Sequence, residues 1–418
     1  MTRFGKALPL AALTALICLL FGGCFSFLWE REVYEQTPHL AQQAEEVFIS
    51  EELQASNESE LRETIINAIR NRLTEAEIDI VNYSGQMTRE AVSILLSDIS
   101  NSEPIADFTV RSLWGDLQRV VSSYILTINI RYLTEEQPAI QTASGAMGLR
   151  TRITDALLAY QPRLTFEMRY YDTESYDPEE IVRAYYDENP AWSAEMPSLT
   201  ISLYPSDIEA PHRIADLNFA YQTPPGVLLK KKELTESRAE ELLSHLPEFP
   251  AEDPGEEPGR REAQLVRWIH DTLCETVVHD EDTYLREVNT GEKEAGDAHT
   301  AYGALVGESA VSEGYAMAFK LLCGLLNVEC RIVRGQIDGV GHTWNLVRIG
   351  EFWYHISAGL DDRGPTPVYA AFLLSDEEAG ARRMSGFEGL PSALPGVWSY
   401  ETIPALGAEE PEEAVFTS

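Results

Sequence analysis

Residues 310 to 323 read AVSEGYAMAFKLLC, and Ser312 stands directly before Glu-Gly-Tyr-Ala at the head of an apolar-striped segment. A hydroxyl in that place has two uses. It can cap the helix, because a serine oxygen accepts a backbone N–H of the first turn and Glu313 suits the positive helix end. It can also attack a carbonyl, but only with a well-aimed general base, since an alcohol is not ionised by its surroundings as a thiol is. Capping is the simpler reading. His342, in GHTWNLV, reads by itself as a satisfied polar residue at a sheet edge. His270, His279, His299 and His355 show no ligand spacing, so neither a metal site nor a cofactor is expected. The five cysteines are Cys18, Cys24, Cys274, Cys323 and Cys330. The last three are too few for a disulfide framework, and burial as small hydrophobes is their default, although Cys323 and Cys330 are candidates to pair outside a cell. Cys323 sits about 16 Å along the helix from Ser312 and cannot replace it.

The elements that must position these groups follow from periodicity. Tyr315, Phe319, Leu322 and Leu326 line one side of a helix beginning just after Ser312, and CRIVRG, HTWNLVRI and EFWYHIS read as three short strands. An earlier helix, REAQLVRWIHDTLC, puts Leu265, Trp268, Ile269 and Leu273 on one face. These belong to a domain predicted over 260–385. A Pro-rich linker, 246–259, precedes it, with Pro247, Pro250, Pro254 and Pro258, and an acidic tail, 386–418, follows. Further upstream the chain repeats itself. Leu61, Ile65, Ala68 and Ile69 match Leu149, Ile153, Ala156 and Leu157; Ile78 and Ile80 match Phe166 and Met168; REAVSILL matches EEIVRAYY; and Ile128, Ile130 and Tyr132 match Leu217, Phe219 and Tyr221. Four elements in one order predict two helix-strand-helix-strand units, 61–134 and 149–223, followed by a polar helix around 234–243. The fold class expected for the whole chain is α+β.

With 418 residues, 44% hydrophobic and 24% charged, the chain can bury more than one core. Its formal charge of −36 speaks against nucleic acid and anionic bilayer surfaces as partners, which are held by Lys and Arg. Lys230-Lys231-Lys232 goes against this trend and reads as a solvated loop. Residues 1–23 read as an export signal, with Arg3 and Lys6, an apolar run from Ala7 to Phe21, and Gly22-Gly23 before Cys24. Small residues before a cysteine resemble the lipobox of bacterial lipoproteins, which implies lipidation of Cys24 and a tether and helix over 24–60. Phe21 departs from the usual Leu. The rival is an uncleaved anchor, because the uncharged stretch from Ala7 through Trp29 is long enough, at about 1.5 Å per residue, to span a bilayer. Both readings place the folded body outside the cytoplasmic membrane.

From HTAYGAL at His299, through EGYAMAFKLLC, GHTWNLV and EFWYHI, to YAAFLLSDEE, the segment resembles the transglutaminase-like family, whose core is a papain-like cysteine hydrolase or acyltransferase site. In that family the helix-opening residue is Cys, the His precedes Ala/Thr-Trp-Asn, and an Asp follows the WYH strand. The resemblance therefore implies that Ser312 holds the nucleophile position, His342 the base position and Ser357 the position of the orienting acid. Two of the three have changed. Tyr315 and Trp344 are cleft candidates, because the family walls its site with such residues, although Trp344 and Trp353 by themselves read as core aromatics. Asp361, just beyond Ser357, reaches His342 only if the chain turns back sharply at Gly359.

A serine facing an imidazole without an anionic helper is a poor nucleophile. In the serine-protease template, neutralising that acid costs about 10⁴ in turnover. The sequence thus predicts a surface-anchored, catalytically degenerate transglutaminase-like protein whose cleft binds a peptide or cell-envelope polypeptide. The alternatives are an active amide hydrolase or acyltransferase running on a Ser312–His342 dyad, and a structural domain whose repeats bind the partner. The repeats resemble helix–strand repeats that precede catalytic-type domains in exported bacterial proteins, which implies a spacer or interaction role.

Overall fold

The computed structural model describes residues 53–83, 87–136, 139–169, 177–206, 210, 212–249, 258–293, 295–362 and 368–406. The expected signal segment, Cys24 and the tether up to residue 52 lie outside them. From Gln54 onward the described residues belong to one compact unit. No helix among the described residues is long and apolar enough to cross a membrane.

The first α/β region runs β1 (Leu53–Ala55), α1 (Glu58–Arg70), β2 (Glu75–Ile80), α2 (Arg89–Ser102), α3 (Pro104–Thr109), β3 (Val110–Val120) and β4 (Ser123–Tyr132), with sheet order β1-β2-β4-β3. The second runs β5 (Ile140–Thr142), α4 (Gly145–Leu158), β6 (Arg163–Arg169), α5 (Pro178–Glu188), β7 (Ser198–Tyr204) and β8 (His212–Ala220), with order β5-β6-β8-β7. The apolar stripes lie where the periodicity puts them. Leu61, Ile65, Ala68 and Ile69 are the buried face of α1, and Leu149, Ile153, Ala156 and Leu157 that of α4. Side-chain caps set several starts: Asn57 accepts from Glu60 N, Thr88 from Ala91 N, and Asp177 from Glu179 N. Each region also contains strands that the four-element reading omits. Chief among them are β3 and β7, which form hairpins with β4 and β8.

Three sequence expectations need correction. Lys230-Lys231-Lys232 is not a loop. It lies inside α6 (Pro225–Ser244), where the three lysines pair with Glu233, Asp297 and Glu236, so opposite charges within reach make the run compatible with a helix. The ends of the 246–259 segment are not free linker: Leu246 and Phe249 pack on the C-terminal core, and Gly259 (φ +88°) fits against Ile349 and Gly350. The tail does not begin at 386 either. Ala393, Trp398 and Ile403 are buried, and Arg267 lies over the Tyr400 ring at 3.9 Å.

The C-terminal region runs α7 (Arg260–Thr276), β9 (Val278–His279), α8 (Glu281–Thr290), α9 (Ala301–Leu305), β10 (Ser309–Ala310), α10 (Ser312–Leu325), β11 (Cys330–Ile337), β12 (Val340–Ile349), β13 (Phe352–Ile356), α11 (Ala358–Asp361), α12 (Asp376–Ala381) and β14 (Met384–Ser385). Its sheet is antiparallel, ordered β13-β12-β11-β14. Asp338 and Gly339, both at positive φ, make the two-residue turn that matches the strand twist between β11 and β12. Tyr315, Phe319 and Leu322 of α10 pack with Leu265, Ile269 and Leu273 of α7 and with Val347 and Ile349 of β12 in one core.

Because Trp398 belongs to that core, Trp398→Ala is expected to cost about 3 kcal/mol or more of unfolding free energy, the usual range for a buried tryptophan. Urea denaturation measures it. An unchanged midpoint would mean that the segment after Ser385 is only laid on the surface.

Candidate functional site

The start of α10 is fixed by close packing. Gly314 has no side chain because a Cβ there would stand 2.4 Å from Ala298 O and 3.1 Å from Thr300 O. The chain before α9 is therefore pressed against the first turn of α10, and Val311 N bonds Ala298 O at 3.0 Å. In this arrangement Val311 is the N-cap residue, without a side-chain cap, and Ser312 is the first helical residue. The expected capping role of Ser312 is thus not what the structure contains. Its half-buried Oγ instead accepts from Thr343 N on β12, at 3.3 Å.

His342 lies on β12, and Ser357 directly follows the neighbouring strand β13, at the N-cap of α11. His342 Nε2 and Ser357 Oγ are 2.9 Å apart, and both residues are buried. Ser357 is held by its backbone, with N bonded to Ala371 O at 3.0 Å. The Nε2 side of the ring is thus taken by a hydroxyl. No carboxylate stands at the position of Ser357. Asp361 does not turn back to supply one: α11 carries it to the other side, where it lies 3.2 Å from His270 Nε2 and accepts from Ala371 N at 2.9 Å.

Ser312 and His342 line one open cavity of about 480 Å³, between α8 and the β11–β12 hairpin. Tyr315 and Trp344 do not line it. They are 1% and 0% exposed, and their polar atoms are spent internally: Tyr315 Oη donates to Asp362, and Trp344 Nε1 donates to His355 Nδ1 at 2.9 Å. The cleft role expected for both is corrected to a core role. His355 in turn reaches Asp376 through Nε2 at 2.9 Å. Burial pushes the His355 pKa down, in keeping with a neutral ring that accepts at Nδ1 from Trp344.

The cavity also contains a charge network that the sequence did not single out. Glu313, next to Ser312, meets His299 Nδ1 at 3.1 Å, Lys293 Nζ, and Arg334 Nη2 at 3.3 Å. Burial opposes its charge, but the His299 bond and the two cations override burial and hold the carboxyl at about 2. His299 Nε2 lies 2.8 Å from Glu287, outside hydrogen-bond alignment. The signal was present in the quoted motifs, since His299 opens HTAYGAL and Glu313 opens EGYA, but nothing in the spacing says that they meet.

A second grouping, Cys274, His270 and Asp361, has the residue types of a thiol site and the wrong arrangement. Cys274 Sγ is 3.9 Å from each ring nitrogen, while Asp361 and Asp271 each lie 3.2 Å from one of them. Both nitrogens therefore face carboxylates, and neither is left to take a thiol proton. Burial pushes the Cys274 thiol up despite the imidazole. His270 is raised well above its ordinary value: burial opposes its charge, but the two carboxylates outweigh burial. Asp361 is also raised, because burial outweighs its imidazolium partner. With two carboxylates facing one ring, the protonated imidazole is the form that satisfies the site.

No family model matches the chain, and no curated protein matches it. A solved structure described as "Crystal structure of a TGase" aligns over 63% of this chain and 67% of that chain at 8% identity, with a TM-score of 0.25. That likeness is too weak to transfer fold detail or chemistry.

The His270 shift has a definite sign. Its raised folded-state pKa gives stability that is fully present below the unfolded value of about 6.5 and is lost as pH rises through the folded-state pKa. Urea midpoints are expected to fall on the alkaline side in the natural protein. His270→Gln is expected to lower stability by about 3 kcal/mol by leaving the buried Asp361 carboxylate without a cation, and to flatten that alkaline slope. An equal slope in the variant would assign the titration elsewhere.

Proposed function

We propose that the C-terminal region is a transglutaminase-like domain that has lost its catalytic power and retains its groove, holding an extended peptide or cell-envelope polypeptide. The observation that carries this reading is the 2.9 Å contact between His342 Nε2 and Ser357 Oγ, beside a cavity that Ser312 also lines. A hydroxyl there orients the imidazole but gives no negative charge to its protonated form, and the oxygen at Ser312 is a far weaker nucleophile than a thiolate. The groove remains open between α8 and the hairpin. Gly341 faces free space, with no atom within 4 Å of where its Cβ would be, so a ligand backbone can approach the strand closely.

The proposal extends to the rest of the chain. The two α/β regions, with equivalent sheet orders and equivalent buried stripes, are copies of one unit that serves as spacer and interaction surface. Cys24 is the lipidated anchor that keeps the body on the outer side of the cytoplasmic membrane. The active Ser312–His342 hydrolase or acyltransferase remains the second reading, favoured by the placement of both residues on one cavity.

The two readings separate on a fluorophosphonate probe, which is expected to leave Ser312 unlabelled. The double change Ser312→Cys with Ser357→Asp is expected to raise thiol-dependent ester hydrolysis by about 10³ or more, restoring a thiolate and its anionic support. Strong turnover by the natural protein that Ser312→Ala abolishes would overturn the degenerate reading.

Binding in the groove is tested by Gly341→Trp. With a random peptide library as probe, selected peptides are expected to bind the natural protein and to lose at least about tenfold in affinity to the variant, with an unchanged melting temperature. Equal binding by both proteins would place the ligand elsewhere.

A further inference from the structure

The C-terminal end of α5 breaks two local rules at once. Asp187 and Glu188 are its last two residues, where the helix dipole disfavours anions. Asp187 Oδ1 is also buried with no hydrogen-bond partner among the described residues. Local rules are broken where something else compensates. The compensation comes from the C-terminal region: Arg334 Nη1 meets Asp187 Oδ2 at 2.6 Å, and Lys320 Nζ meets Glu188 at 2.9 Å.

Those two cations sit on the elements that form the groove. Arg334 is on β11, paired in register with Thr343, and its other nitrogen reaches Glu313, the neighbour of Ser312. Lys320 is on α10 and also donates to Cys330 O at 2.7 Å, at the start of β11. Between them, the Pro190–Trp192 turn that follows α5 packs against α9 and α10. The helix end thus grips both the helix that carries Ser312 and the strand that faces it.

We propose that the second α/β region is a working part of the groove, with Asp187 as a positioning residue: through Arg334 it sets the spacing between the head of α10 and the β11–β12 hairpin. The bond to Asp187 draws the guanidinium to the rim and leaves its second fork for Glu313. Without it, Arg334 is free to swing across the opening, and the network around Glu313 loses one of its two cations. A partner that tilts the α/β region therefore changes what the groove accepts. This rests on the groove reading above only for its consequence for ligands, and the geometry itself is measured separately.

The test is amide hydrogen exchange on the full chain with Asp187→Asn and Asp187→Glu. Asp187→Asn is expected to speed exchange about tenfold over 312–316 and 334–343, to leave α7 unchanged, and to be reversed by Asp187→Glu. If Asp187→Asn fails to fold, Arg334→Lys, which keeps the charge but loses the fork, is expected to give the same local pattern. Where library-selected peptides bind the natural protein, Asp187→Asn is expected to weaken them about three- to tenfold. Faster exchange with no peptide binding by any form would uphold the coupling and sink the peptide reading alone. Unchanged exchange at both segments, or acceleration spread evenly into α7, would overturn the positioning role.

Discussion

The contact on which the site depends is the approach of the 297–300 backbone to the first turn of α10. It is close enough that Gly314 must lack a side chain, since a Cβ there would meet Ala298 O at 2.4 Å. This clamp fixes where α10 begins and hence where Ser312 points. It also brings His299 beside Glu313, because both flank the same contact. The opposite wall is set independently by the β11–β12 turn, which puts His342 across from Gly335 and Thr343 across from Arg334. Two rigid pieces, one helical and one from the sheet, therefore define the groove before any charge is considered.

Charge then acts on that frame selectively. In a chain of formal charge −36, Lys293 and Arg334 both turn toward the single carboxylate of Glu313. Isolated exposed pairs of this kind contribute little. Glu313 differs because it is mostly buried and three groups converge on it, which makes removal of any one costly to the remainder. The network is better placed to hold the groove's shape than to add net stability.

What was legible in the sequence were the elements with strong periodicity. The stripe Leu61, Ile65, Ala68 and Ile69 is hidden in α1, and the alternation Ile128, Ile130 lies buried in β4. His342 and Ser357 are singled out together only through a resemblance, and the structure has them 2.9 Å apart. What escaped were elements whose character is decided by contact at a distance. Strand β3 is largely exposed and shows no clean alternation, so its identity comes from pairing with β4. The lysine run at 230–232 reads as a loop until carboxylates from the same helix and from Asp297 are placed beside it. Asp361 meets His270 across 91 positions, a distance over which spacing carries no information.

That last pairing also bears on chemistry. A carboxylate four residues after Ser357 looks like a reserve helper for His342, yet the buried His270 competes for it and already holds it at 3.2 Å, with Ala371 N supplying a further bond. Moving Asp361 to His342 would strip a buried imidazolium of one of its two carboxylates, a change of several kcal/mol against which one new ion pair does not compensate. The fold itself thus withholds this anion from the His342 imidazole. The side chain that does stand 2.9 Å from Nε2 is that of Ser357, so a carboxylate placed there would reach the ring without moving Asp361 out of α11.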